Sequence, residues 1–134
     1  MTLRLLAVLV FSHAAGAASA KECWALTNLK GHMAASTDNY AFVGDKFTNP
    51  IVLCFGSGNE GSVSGDDTVF VKFGASTLVG WASNKGIELV ETYQIDREKN
   101  RVLFTKSRIG TTTVIPDGPD VVSAFVGIAT RLKE

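Results

Sequence analysis

The chain has 134 residues, with 13 basic and 13 acidic side chains and a formal net charge of zero, so it offers no general field for nucleic acid or an anionic membrane. Its length and its 46% apolar content suit a single domain with one core rather than two. No apolar run reaches the roughly 20 residues needed to cross a bilayer, and stable membrane insertion is not expected.

The chain opens with MTLRLLAVLVFSHAAGAASA, in which Arg4 precedes an apolar run from Leu5 to Phe11 and small residues stand at Ala18 and Ala20. This is the pattern of a secretory leader, residues 1–20, cleaved after Ala20. Residues 21–134 then form one domain in the periplasm or outside the cell. The two cysteines, Cys23 and Cys54, would meet in an oxidising compartment, where a disulfide is the expected state. Closing a loop of about 32 residues would stabilise the fold by roughly 3.5 kcal/mol on the chain-entropy view.

Beyond the leader, short runs rich in Val, Ile, Phe and Thr alternate with clusters of Gly, Asn, Asp and Ser. Strands are predicted over residues 23–29, 40–47, 51–55, 68–73, 76–83, 87–96, 101–109 and 121–132. About eight short strands with brief connections predict an all-β fold, a small antiparallel up-and-down barrel whose closure removes exposed edges.

After the third strand comes GSGNEG, a literal match to the dinucleotide fingerprint at Gly56, Gly58 and Gly61. No helical run follows it, so it is expected to be a loop between strands and not a phosphate cradle. The same connection carries Asn59, Glu60, Asp66 and Asp67, oxygen donors without EF-hand spacing, which are expected to be solvated. Neither a metal nor another cofactor is expected.

Two hairpins can be read in register. In VFVKFGASTLVGW a two-residue turn at Gly74-Ala75 would set Val71 opposite Leu78 and Phe70 opposite Val79. In ETYQIDREKNRVLFTK a four-residue loop, Arg97 to Asn100, would set Asp96 opposite Arg101, Ile95 opposite Val102, Tyr93 opposite Phe104 and Glu91 opposite Lys106.

That second hairpin supplies the candidate ligand-binding residues: Glu91, Tyr93, Phe104, Lys106 and Arg108. Facing inward, they would give an apolar floor topped by a compact charged group, the makeup of a small-ligand pocket. Alternation alone gives two faces and does not say which is inside; the rim reading, with Glu91 and Lys106 as an exposed ion pair, is preferred. Trp24, Trp81 and Phe70 are a possible second apolar patch. The last segment, PDVVSAFVGIATRLKE, is expected to be the closing strand because of its β-branched residues and Gly127, the alternative being a C-terminal helix capped by Asp120.

Catalytic residues are not expected. The leaderless chain has one histidine, His32, and no G-x-S-x-G elbow surrounds a serine. Glu91 and Asp96 are an odd number of residues apart, so on a strand they cannot flank one glycosidic bond.

With CWAL in its first strand and ETYQIDREKNRVLFTKSRIGT at residues 91–111, the chain resembles small exported bacterial barrels of the lipocalin-like (calycin) type, although no G-x-W precedes the barrel. The resemblance implies a barrel and, for a chain of this size, brings in periplasmic inhibitors of proteases. The reading is a non-enzymatic exported barrel binding a small apolar ligand or a protein partner. The alternatives are an inhibitor of a secreted or envelope enzyme and a minor hydrolase using His32.

Overall fold

The computed structural model describes residues 21–84, 86–110 and 119–133. The leader reading at 1–20 lies outside the described residues. Nine strands follow one another: β1 (Glu22–Ala35), β2 (Val43–Lys46), β3 (Ile51–Phe55), β4 (Glu60–Val63), β5 (Val69–Lys72), β6 (Thr77–Asn84), β7 (Ile87–Asp96), β8 (Arg101–Ile109) and β9 (Val121–Arg131). A single 3₁₀ turn, Ser36–Asp38, is the one helical piece among the described residues.

All neighbouring strands are antiparallel, in the order β1-β3-β4-β5-β6-β7-β8-β9, and β9 returns to β1 to close an eight-stranded barrel. The ninth strand, β2, pairs with β1 beyond the stretch that β3 covers: Lys30 lies opposite Lys46 and Met33 opposite Val43. The C-terminal segment is therefore strand, as its β-branched content predicts.

β1 serves three partners because it is bent. Its register against β9 shifts between Thr27 and Lys30, where Asn28 takes a φ of 53°, the left-handed region that asparagine tolerates. The bulge presses on β9 at Gly127, where an added Cβ would lie 2.8 Å from the Thr27 carbonyl oxygen. Only glycine fits there. The residue that spoke against a helix is thus required by the closing seam.

Boundaries of β3, β7 and β8 match the predicted ones. The connection after β3 does not: Glu60–Val63 is a strand, paired with β3 and β5, and GSGNEG is a hairpin in which Gly56 N–H donates to the Glu60 carbonyl oxygen at 2.9 Å.

The first predicted hairpin register is off by one. Val71 lies opposite Val79 and Phe70 opposite Gly80, and Phe73 N–H closes the turn on the Thr77 carbonyl oxygen. Packing decides this. A Cβ at position 80 would fall 2.4 Å from the Phe70 ring, so glycine opposite phenylalanine gives the ring its place over the sheet. The second hairpin has the register the sequence predicts, from Asp96–Arg101 through Glu91–Lys106.

Inside the barrel the side chains stack in rows set by the strand pairings. Ile95, Val102 and Gly127 make one row, Tyr93, Phe104 and Phe125 the next, and Glu91, Lys106 and Ser123 the one beyond. The first two rows belong to a buried apolar core with Trp24, Leu26, Leu53 and Leu78. Trp81 is half exposed on the outer face, so Trp24, Trp81 and Phe70 do not form one patch.

Past the Ile95 row the barrel is closed by Arg97, from the loop at the centre of the charge burst. Its guanidinium lies 5.5 Å from the Phe55 ring and 6.0 Å from that of Trp24. It donates to Glu22 Oε1 at 2.8 Å and to Ser76 Oγ at 2.7 Å. Trp24 Nε1 donates to the same Glu22 oxygen at 2.6 Å. Desolvation works against the Glu22 charge, but these donors hold its carboxyl below the usual value. At the start of the barrel Cys23 and Cys54 stand directly opposite each other on β1 and β3 and form a disulfide.

Candidate functional site

The hairpin face carrying Tyr93, Phe104 and Glu91 points into the barrel: these residues are 3%, 2% and 1% exposed. The rim reading is corrected. An outward Glu91 would have exchanged the aromatic residues of β7 and β8 for Val90, Leu103 and Thr105 in the core, and burying two stacked rings outweighs the penalty of burying one paired carboxylate.

Tyr93 and Phe104 stack face to face, with ring centres 4.4 Å apart and planes 10° from parallel. Phe125 continues the stack at 5.6 Å. Phe47, which follows β2, meets Phe104 and Phe125 edge-on at 5.8 and 4.9 Å while remaining 38% exposed. The rings form the floor.

One row further on, the Lys106 ammonium forms an ion pair with Glu91 Oε1. Glu91 also touches Asp66 and Tyr93, so its carboxyl is enclosed by the chain's own groups. About a third of the Lys106 side chain reaches solvent, so this cation sits at the mouth and the carboxylate beneath it. Asp66 joins them from the β4–β5 connection, its Oδ1 accepting the Thr68 N–H at 2.8 Å. Arg108 does not join: its guanidinium donates to the Pro119 carbonyl oxygen at 2.8 Å. Four of the five predicted residues thus meet, with Asp66 as the member that the sequence did not reveal.

The two carboxyls are driven apart. Burial pushes Glu91 up from its ordinary value and the Asp66 carboxylate adds to this, while Lys106 opposes both. Asp66 is also desolvated, but hydrogen bonds from Thr68, contact with Glu91 and the charge of Lys106 hold it below the usual range. Burial, followed by the neighbouring Glu91 and Asp66 charges, pushes the Tyr93 phenol up. Tyr93 is neutral under all ordinary conditions.

This has a measurable sign. Because the folded chain holds the Glu91 proton more tightly than the unfolded chain, stability from this group is present in acid and falls as pH rises from 4.5 towards the elevated folded value. Glu91→Gln cannot ionise, so its Tm is expected to fall less steeply than the parent's as pH rises above 4.5. A thermal-melt series on both proteins measures this, and parallel curves would contradict it.

The other chemical possibilities find little here. His32 is exposed on β1 between Gly44 and Ala124, neither of which carries a nucleophile or an acid. Among the described residues no group of three or more His, Cys, Asp or Glu side chains is placed to hold a metal ion. No helix among them is long and apolar enough to cross a membrane.

The outer wall has a feature of its own. On β9 the outward positions Val122, Val126 and Ile128 are 45%, 48% and 46% exposed, beside Leu103 of β8 at 45%. An open hollow of about 570 Å³ lies there, bordered by Lys30, His32, Leu103, Thr105, Ala124 and Val126.

No family model matches the chain, and no curated protein or solved structure resembles it significantly.

Proposed function

We propose that the chain is an exported, non-enzymatic binding protein, a lipocalin-like barrel that takes a small, largely apolar ligand at the end where Glu91, Tyr93, Phe104 and Lys106 meet. The observation that supports this reading is the makeup of that barrel end: a buried Glu91 paired with a partly solvent-exposed Lys106, standing directly over a stack of aromatic rings. An apolar floor topped by a compact charged group is the usual makeup of a small-ligand site. The disulfide is consistent with an oxidising, exported location.

A protein partner is the second reading, favoured by the exposed apolar face of β9 and the hollow beside it. An inhibitor of a secreted enzyme would use the same surface.

Native mass spectrometry of the disulfide-bonded protein, expressed with its leader and purified from the periplasm, tests the first reading. A small-molecule mass lost on denaturation is expected, reduced in Phe104→Leu and retained in His32→Ala. Equal native and denatured masses across several growth conditions would remove it, and loss of a turnover activity in His32→Ala with the fold intact would favour the hydrolase instead.

A further inference from the structure

We propose that the hollow on the outer wall is a second binding site, for an amphipathic anion: a single-chain alkyl carboxylate whose head lies between Lys30 and Lys46 and whose tail lies over Ala124 towards Leu103. The site stands apart from the barrel end and does not rest on the reading given for it. It also claims the hollow for a small molecule rather than for a protein surface.

The hollow follows from the cross-strand rows on the outside of the barrel. One row runs Lys46, Lys30, Val126, Leu103, and the next runs Gly44, His32, Ala124, Thr105. Ala124 is the short side chain at the centre. Val122 and Val126 rise on either side of it along β9, and His32 and Thr105 flank it across the sheet, so the surface dips and leaves the open volume of about 570 Å³. Volumes of roughly 300–1,000 Å³ suit small molecules. Leu103 and Val126 give this hollow exposed apolar walls.

The charges around it are of one sign. Lys30 and Lys46 lie directly opposite each other on adjacent antiparallel strands, both exposed, an arrangement in which like charges repel. Nothing on the same face offsets them. The outward positions of β1, β2, β8 and β9 hold Lys30, His32, Lys46 and Arg101 and no Asp or Glu. Asp45 is turned to the other face, opposite Gly31, with its Oδ1 accepting the Lys46 N–H at 2.8 Å. None of the ion pairs among the described residues includes either lysine.

A formally neutral chain thus carries an apolar hollow with a cationic border. An anionic head between the two ammonium groups replaces their repulsion with two attractions, and the lysine stems add apolar cover to the tail. The rows also set the length of the ligand. From Lys30 to Leu103 is two strand spacings, roughly 10 Å, a span suited to a medium-length alkyl chain.

Decanoate is the probe, compared with decyltrimethylammonium and with acetate, all below micelle-forming concentration, by calorimetric titration on the disulfide-bonded leaderless protein. Decanoate is expected to bind at least about tenfold more tightly than decyltrimethylammonium, with no acetate binding, and to weaken as salt rises. The Leu103, Ala124 and Val126 methyl signals in NMR spectra are expected to move together during the titration. Lys30→Glu is expected to melt no lower than the parent, because position 30 then attracts Lys46, and to bind decanoate at least about tenfold less tightly. Ala124→Leu fills the hollow from an exposed position, so it is expected to fold and to lose decanoate binding.

Equal affinity for the anionic and cationic chains would overturn the proposal. So would decanoate binding that survives in a folded Ala124→Leu, or methyl shifts confined to the barrel interior, since each puts the chain elsewhere. Absence of decanoate binding would end it too and leave the barrel-end reading standing on its own retained mass. A retained native mass that Ala124→Leu abolishes would support the outer site and count against the barrel end.

Discussion

Phe104→Ala is expected to destabilise the protein by about 4 kcal/mol, whereas Leu103→Ala, one residue away on the same strand, is expected to cost less than about 1 kcal/mol. Phe104 is 2% exposed and lies between Tyr93 and Phe125 in the ring stack, so truncation removes two aromatic contacts and leaves a void that the rigid strands cannot fill. Leu103 points outward and is 45% exposed. Total stabilities of single domains are about 5–15 kcal/mol, so the Phe104 variant is expected to melt about 15 °C lower or to fail to accumulate. Paired thermal melts check the inward orientation. Comparable losses for the two variants would mean that the face is assigned wrongly.

The second large effect belongs to the sulfur bridge. Converting both Cys23 and Cys54 to alanine is expected to cost about 3 kcal/mol, within the roughly 2–5 kcal/mol typical of native bridges in small secreted domains. Its position adds to the effect: it ties β1 to β3, the first of the three shortest barrel strands, with five residues in β3 and four each in β4 and β5. Urea unfolding with and without reductant measures this, and the reduced parent is expected to unfold at the same midpoint as the double variant. An unchanged midpoint with both thiols demonstrably free would contradict the assignment.

Much of the architecture was legible because local signals agreed with one another. In ETYQIDREKNRVLFTK the charges, aromatic residues and turn length all select one pairing, and that pairing is the observed one. The closing strand was legible from its β-branched residues. β4 was not, because a strand reading Glu-Gly-Ser-Val has the composition of a loop and is held by its neighbours on both sides. The first hairpin slipped because its register is set by the fit of the Phe70 ring over Gly80, which is a matter of shape.

The orientation of the candidate site was hidden for a different reason. Both faces of β8 and β9 carry apolar residues, so alternation is satisfied either way, and a glutamate and a lysine on one face argue for solvent unless their pairing is known. Asp66 was expected to be solvated with the other oxygen donors of its connection, and nothing local sets it apart from them. It stands in a Gly/Ser-rich connection 25 residues before Glu91, and only the closure of the barrel brings the two together.

The seam between β1 and β9 governs how the molecule comes into being. The two strands that meet there, with Arg131 beside Trp24, are the first and the last of the barrel, so the cylinder cannot close until every strand between them has been made. Pairing them closes the longest loop in the sheet, so the joining of these two distant strands is expected to be the slowest folding step.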